Sequence, residues 1–553
     1  MPSFLSPEVL LDGGPYRLPV QLERALWHLG FSDVRVIDGA NDEGGDILAT
    51  RQTQRWVFQC KWKRRGSVPA DAVDEAERAK RHYACDRAVL VTNAVVAPSA
   101  KRRAAELKTI GAEVETWDGT TLRRLFEALP DDMSPIVPRA YQDAAIVALQ
   151  RDLERTRRGL LVLATGLGKT VVGGEVIRHH LEADGKGDVL VVAHLRELVA
   201  QLEKAMWRHV PKTVKTQVLT GDEKPKDLSG VTFATVESAL AAVLEGYAPG
   251  LVMVDETHHV SESGVFQRLL DAVEDTPQFG VTATPWRGDK YDISRRFGPP
   301  SFTMDIAEGM AKGWLAQVDY RLYVDNVDWE AVREASTQEY SIKELNAKLF
   351  LPQRDEAVIE HLTDAYTSIP EPRGIVFCQT IEHAERFADK LRRASPLWRN
   401  ARCLHSGLNK QMRQQALSDF RLGRIPLITV RDIFNEGVDV PDVNIICFLR
   451  VTHSRRIFVQ QLGRGLRLKG DGKRVLVLDF VTDIRRAAAA LGMKRELARF
   501  AVEEVTVPQP ATIEFSDAGV GGLMEAWIQD AANLETSADE VRLQFPEVEW
   551  NVQ

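Results

Sequence analysis

Residues 159–170 read G-L-L-V-L-A-T-G-L-G-K-T, and they restrict the fold more than any other stretch of the chain. Gly159–Leu163 is an unbroken apolar run, the pattern of a strand buried on both faces of a parallel sheet. A loop follows with Thr165, Gly166 and Gly168, then Lys169, Thr170 and a helical pattern from Val171. Glycines at such a turn let backbone N–H groups point inward around phosphate oxygens. The helix N-terminus adds partial positive charge, Lys169 a full one, and the Thr170 hydroxyl suits Mg²⁺. The chemistry implied is binding of a nucleoside triphosphate, ATP with Mg²⁺. The strict form of the pattern has Gly where this chain has Leu163, and an ordinary glycine turn between strand and helix is the alternative.

Further apolar strands alternate with helical patterns at Val189–His194, Val231–Thr235, Leu251–His258 and Phe279–Pro285, the signature of a doubly wound parallel sheet. Asp255 and Glu256 close one of these strands, where such sheets place ligand groups. Asp255 can complete the Mg²⁺ shell with Thr170, and Glu256 can orient or deprotonate an attacking water. A second series runs through Arg373–Thr380, Cys403–Gly407, Leu427–Val430, Asn444–Leu449 and Val475–Phe480 without a phosphate loop. It carries Q-Q-L-G-R-G-L-R, with Gln460, Gly463, Arg464 and Arg467 on one helical face. Arginines so placed suit transition-state charge on a neighbouring triphosphate; exposed arginines on a helix are the alternative.

Before the linker Leu129–Pro135 the chain reads differently. Leu18–Leu29 is amphipathic, with Leu22, Ala25, Leu26 and Leu29 on one face. In W-V-F-Q-C-K-W, alternation puts Trp56, Phe58, Cys60 and Trp62 on one side and Val57, Gln59, Lys61 and Lys63 on the other. If the preceding strand pairs with it as a hairpin, Asp46 approaches Gln59 and Lys61. An acid, a carbonyl oxygen and a lysine suit metal-assisted phosphodiester hydrolysis. Asp46 and Gln59 would hold Mg²⁺, with Mn²⁺ as an alternative, and Lys61 would neutralise charge on the phosphate. A solvent-facing polar strand edge stands beside that reading. Basic runs at Lys61–Arg65, Arg78–Arg81 and Lys101–Arg103 add cationic surface that fits a phosphate-tracking role.

Two resemblances organise these motifs. Asp42-x-Gly44-x-Asp46 followed by Gln59-x-Lys61 resembles the Mrr-type restriction endonucleases of the PD-(D/E)xK fold, and Glu23 aligns with that family's first-helix acid. From 136 to 490 the order and spacing resemble superfamily 2 helicases, in particular the branch of XPB-like helicases and type I restriction motor subunits. That resemblance makes Gln142 an adenine-reading residue and matches Ala164–Thr170, Asp255–His258 and Thr282–Thr284 to the first three helicase motifs. It makes His194–Glu197 and Thr235–Ser238 nucleic-acid contacts. Asn435–Pro441, with Gly437 and Asp439, and Gln460–Arg467 match the fifth and sixth motifs. The fold expected is α/β throughout. A nuclease domain (1–130) precedes two RecA-like lobes (136–305 and 369–490) separated by a connector (306–368), and an acidic accessory segment (491–553) follows.

Charge and cysteines bound the partners. Residues 501–553 hold eleven acidic side chains against one arginine, so the net charge of −8 conceals a balance of +2 over the rest, compatible with DNA. The acidic segment also has helical and strand-like apolar patterns, and packing on the body, docking of a defence-system protein or mimicry of DNA all remain open. Five scattered cysteines without a C-x-x-C pair argue for reduced thiols, and an N-terminus with no secretory core points to the cytoplasm, away from membranes. The function expected is an ATP-dependent DNA helicase or translocase fused to a DNA endonuclease in restriction or anti-phage defence. A repair or remodelling helicase whose first domain binds DNA without cutting is the first rival. A scaffold that uses ATP as a switch is the second.

Overall fold

A computed structural model describes residues 4–37, 45–128, 136–183, 187–283, 292–323, 355–408, 410–421, 423–431, 443–449 and 474–480, with 339–341, 344, 511–515 and 542–544. Two compact units divide the chain: residues 1–159 with 170–280, and residues 160–169 with 281–553.

The first unit begins with helices α1 (Pro7–Asp12) and α2 (Gly14–His28) and a five-stranded sheet in the order β1-β2-β3-β5-β7. Its strands are β1 (Ser32–Val36), β2 (Ile47–Arg51), β3 (Gln54–Lys61), β5 (Arg87–Thr92) and β7 (Val114–Trp117), with a small parallel pair β4 (Ser67–Val68) and β6 (Val95–Val96) beside it. β2 and β3 form an antiparallel hairpin, whereas β3, β5 and β7 run parallel, joined by helices α3 (Asp71–His82) and α4 (Pro98–Thr109). β3 is therefore the central strand, and it is covered on both faces. Trp56, Phe58, Cys60 and Trp62 pack with Leu22 and Leu26 of α2 and with Phe31. On the opposite face Val57 packs with Val73 and Ala76 of α3 and Ala100 of α4. The two-residue period survives, but its polar side faces helices rather than solvent.

After α5 (Gly119–Glu127) and α6 (Ala140–Thr156), the unit builds a set of neighbouring strands in the order β10-β11-β9-β12-β13. These are β9 (Val189–Ala193), β10 (Thr216–Leu219), β11 (Val231–Thr235), β12 (Leu251–Asp255) and β13 (Gln278–Thr282). β10, β11, β9 and β12 are parallel. Every residue of β9, β11 and β12 is buried, as continuous apolar runs require when helices cover both faces. The helices include α7 (Lys169–Glu182), directly after the glycine loop, and α8 (Arg196–Met206).

In the second unit, β8 (Arg158–Leu163), whose last four residues belong here, pairs in parallel with β14 (Phe302–Met304). A parallel seven-stranded sheet runs β18-β19-β17-β20-β21-β15-β22. Its strands are β15 (Gln317–Tyr323), β17 (Gly374–Cys378), β18 (Arg402–His405), β19 (Leu427–Arg431), β20 (Ile445–Leu449), β21 (Arg474–Phe480) and β22 (Ala511–Phe515). Its core gathers Val376, Phe387, Leu391, Trp398 and Leu478. β15 comes from the stretch expected as connector and lies between β21 and β22, so part of that stretch is sheet. β22 comes from the acidic segment, which thus contributes a strand to the same sheet. A short antiparallel pair, β16 (Glu339–Ser341) with β23 (Arg542–Gln544), joins the same two stretches again.

Candidate functional site

The β2–β3 hairpin brings Asp46 to β3. Its register sets Ile47 opposite Phe58, the Asp46 N–H donates to the Phe58 carbonyl at 2.8 Å, and the Cys60 N–H donates to Asp46 Oδ2 at 2.5 Å. Burial pushes the Cys60 thiol well up, and the Asp46 charge adds to this while Lys61 opposes it, so this cysteine stays protonated. Gln59 is 4% exposed; its amide nitrogen lies 3.4 Å from the Cys60 carbonyl, and its Oε1 is buried with no hydrogen-bond partner among the described residues. A buried carbonyl oxygen in that condition costs free energy unless something accepts its lone pairs. An amide oxygen and a carboxylate are hard-oxygen donors, so the chemistry of Gln59 and Asp46 fits a divalent cation.

Lys61 follows on the same face as Gln59, and its Nζ lies 2.5 Å from Glu75 Oε2 on α3. Glu75 escaped the sequence reading because α3 reads only as a charged helix; nothing in the spacing ties it to β3. The chain beyond Lys61 is fixed on both sides. Asn93 accepts the Lys63 N–H at 2.8 Å and donates to the Lys63 carbonyl at 2.9 Å, and the Trp62 indole donates to the Leu10 carbonyl at 2.9 Å. Asp42 and Gly44 lie outside the described residues.

Glu23 Oε2 lies 2.6 Å from Lys204 Nζ on α8, and burial of the carboxyl raises its pKa against the pull of Lys204, so this side chain joins α2 to α8. Nearby, Arg17 of α2 grips Glu203 with two hydrogen bonds of 2.7 and 3.0 Å and reaches the Thr216 carbonyl at 3.2 Å.

The glycine loop explains its own departure from the strict pattern. Leu163 is the last residue of β8, fully buried and paired with Met304, so a glycine's freedom is not needed there. The turn falls later, where Gly166 (φ +94°) and Gly168 (φ +83°) adopt left-handed backbone that costs other residues about 1–2 kcal/mol. Between them Leu167 is buried and anchors the loop. Lys169 is the first residue of α7 and Thr170 the second.

Asp255 ends β12 and is 9% exposed. Glu256 follows in left-handed backbone (φ +49°, ψ +56°), a strained conformation for a side-chain-bearing residue, and its Oε2 lies 3.2 Å from the buried His258 Nδ1. His258 and His259 have ring centroids 4.4 Å apart, and His259 lies 3.8 Å from His194 at the end of β9. Three imidazoles thus link the acidic turn to the His194–Glu197 stretch. The Thr235 hydroxyl donates to Ser238 at 3.1 Å. Gln142 is buried, and its Oε1 accepts the Arg139 N–H at 2.9 Å, capping α6. Thr282 is described and buried, Thr284 is not described, and Gly437, Asp439, Gln460, Arg464 and Arg467 also lie outside the described residues.

Family models match this chain in series. The restriction endonuclease model Mrr_cat covers residues 12–126, the type III restriction enzyme res subunit 135–287, and the helicase conserved C-terminal domain 354–469. A Schizosaccharomyces pombe protein named for a mitochondrial ATP-dependent helicase, irc3, is 26% identical over 66% of this chain and 61% of its own length. The endonuclease subunit of the type I restriction enzyme EcoAI of Escherichia coli is 25% identical over 64% of this chain and 47% of its own. This chain therefore spans less than two thirds of either relative. The solved structure of the ATP-dependent type ISP restriction-modification enzyme LlaBIII bound to DNA superposes with a TM-score of 0.54 at 15% identity. It covers 95% of this chain and 43% of that one, which establishes a shared fold. No helix among the described residues is long and apolar enough to cross a membrane. The chain thus carries, in series, a restriction endonuclease domain, a domain of the type III restriction enzyme res subunit and a helicase conserved C-terminal domain.

Proposed function

We propose that this protein is a DNA-dependent ATPase, a helicase or translocase, working with its own metal-dependent DNA endonuclease in restriction or anti-phage defence in the cytoplasm. The observation that carries the nuclease half is the Gln59 oxygen, buried without a hydrogen-bond partner among the described residues, on the strand that the hairpin pairs with Asp46 and that carries the Lys61–Glu75 pair. Asp46 and Gln59 would hold Mg²⁺ or Mn²⁺, which supplies Lewis-acid charge at a phosphodiester. Lys61 meets the negative charge that grows on the phosphate, and Glu75 keeps its ammonium in position until DNA arrives.

In the motor, the loop Thr165–Lys169 would wrap the triphosphate, with Thr170 and Asp255 as the oxygen ligands of its Mg²⁺. Glu256 would take the proton of the attacking water, and the His258 contact holds its carboxylate in place. Gln142 would read adenine. Gly437, Asp439 and Gln460 would close on the nucleotide, and Arg464 and Arg467 would offset charge in the transition state. The boundaries that go with this reading are 1–130, 136–305, 306–368, 369–490 and 491–553, the last an accessory segment packed on the body, with docking of a defence-system partner as its second reading.

Two variants and two assays test it. Asp46→Ala should eliminate Mg²⁺- or Mn²⁺-dependent cutting and leave DNA-stimulated ATPase intact; Lys169→Ala should abolish ATPase. If wild type cuts neither plain, modified nor phage DNA with either metal while its ATPase responds to DNA, the first domain is a binding module and the rival helicase reading replaces this one.

A further inference from the structure

The helix that follows the phosphate loop touches a segment that the N-terminal domain grips, and the central contacts of that sequence are buried. Glu175 of α7 accepts a hydrogen bond from His209 Nδ1 at 2.7 Å, and its other oxygen pairs with Arg178 at 2.6 Å. His209 is 1% exposed and lies flat on the α7 backbone: a Cβ on Gly174 would sit 2.3 Å from its Cδ2 and 2.4 Å from its Cγ. Glycine at 174 is what allows the imidazole to approach, so the two groups cannot shift independently without a gap or a clash.

The next residues form a hook of carbonyls. Arg24, fully buried on α2, donates to the carbonyls of Val214 at 3.0 Å, Pro211 at 3.1 Å and Val210 at 3.4 Å, and its guanidinium lies 4.1 Å over the Phe4 ring. Burial pulls the Arg24 pKa down to about 9, with Glu203 opposing and Arg17 adding to the fall; the carbonyl hook is what makes a charge tolerable there. On the other side of α2, Leu22 and Leu26 pack in the same cluster as Ile47 and Phe58, the residues flanking the Asp46–Gln59 site on β2 and β3.

We propose that Glu175, His209 and Arg24 form a relay by which the nucleotide state of the phosphate loop is felt in α2 and in the nuclease sheet beneath it. The relay rests on the nucleotide-binding reading of the loop. His209 and Arg24 are positioning residues; neither touches a reacting atom. A triphosphate that orders the N-terminus of α7 fixes Glu175, Glu175 fixes the imidazole, and the 209–214 hook passes that restraint to the guanidinium. Restraint is transmitted because the Glu175–His209 hydrogen bond and the Arg24 contacts to the Val214 and Val210 carbonyls are buried and packed.

Hydrogen exchange followed by mass spectrometry on the full chain tests this, with a non-hydrolysable ATP analogue and Mg²⁺ as the probe. In wild type the analogue should slow exchange in α7 and also in peptides covering residues 18–28, the latter by about fivefold or more, the low end of coupling between linked sites. In His209→Ala and Arg24→Met, protection of α7 should persist while the effect on α2 disappears. His209→Gln, whose amide can still donate to Glu175, should restore part of it. Protection of α7 without any in wild-type α2, or α2 protection that survives both variants, overturns the relay. Absence of protection in α7 itself would overturn the nucleotide-binding reading and the relay with it. Should a variant fail to fold, the wild-type comparison still decides.

Discussion

Replacing Arg17 by Met should destabilise the first unit out of proportion to the loss of one surface charge. Glu203 is 2% exposed on its side chain, and Arg17 is 11% exposed. Burial works against the Glu203 charge, but Arg17, the Thr216 hydroxyl at 2.9 Å and Arg24 more than offset it, so its pKa is lowered. Without Arg17 the carboxylate keeps one neutral donor in a dry site. Breaking a buried pair from one side costs about 3–5 kcal/mol, and each kcal/mol moves the midpoint of a domain this large by about 2–4 °C, so a fall of roughly 6–20 °C is expected. The double variant Arg17→Met/Glu203→Leu should recover part of that, because the lone carboxylate is gone while the buried Arg24 loses the Glu203 charge that opposes its desolvation. The assay is thermal unfolding followed by intrinsic fluorescence, repeated across pH. Glu203 has a depressed folded pKa, so its contribution is present above the ordinary glutamate value and disappears as pH falls below it through the folded value. The penalty of Arg17→Met should accordingly be constant from pH 6 to 8 and shrink under acid conditions. A shift of less than about 2 °C, or a double variant as weak as the single, would refute the account of a buried pair.

Lys169→Ala should abolish ATP hydrolysis, and Glu256→Gln should bind ATP and DNA yet turn over slowly, both read by a coupled ATPase assay with nucleotide-binding titration. Arg464→Ala or Arg467→Ala should reduce turnover by about 10³-fold or more with far less change in ATP affinity; poor binding with normal turnover would reassign that arginine to ground-state contact. Glu75→Gln should lower metal-dependent cutting by about 10–100-fold, the usual effect of losing a partner that positions a reacting group, and leave ATPase unchanged.

Local pattern carried the elements, and long-range pairing stayed out of reach. The period of two in Trp56–Trp62 sorted that strand's faces correctly because the pleat alone dictates it. It could not tell that β3 is central, since a polar residue opposite a helix and one opposite water look alike in sequence. Hence the solvent-edge alternative for Gln59 stood until the sheet order and its burial removed it. Leu163 looked like a defect against a strict motif and is simply the last residue of a strand. The connector and the acidic segment read as separate pieces, yet β15 and β22 pair side by side across some 190 residues of chain, a distance at which no local signal operates.

α2 shows why the interface between the first sheet and α8 was invisible. Its amphipathic pattern, with Leu22, Ala25, Leu26 and Leu29 on one face, implies that the opposite face meets water. Gln21, Glu23 and Arg24 on that remaining surface are instead buried. Over residues 21–26, where α2 is buried all round, each polar group must have a partner, and here Lys204 answers Glu23 and the 210–214 carbonyls answer Arg24. Those partners sit about 180–190 residues away in sequence, on α8 and on the segment after it that in isolation reads as an ordinary loop. Charged residues on the outer face of a helix are thus ambiguous until the neighbouring element is known. Packing alone could be served by leucines, as on the inner face of α2. A guanidinium held by three carbonyls also fixes the angle and register of α2 against the 210–214 segment, which leucines cannot do.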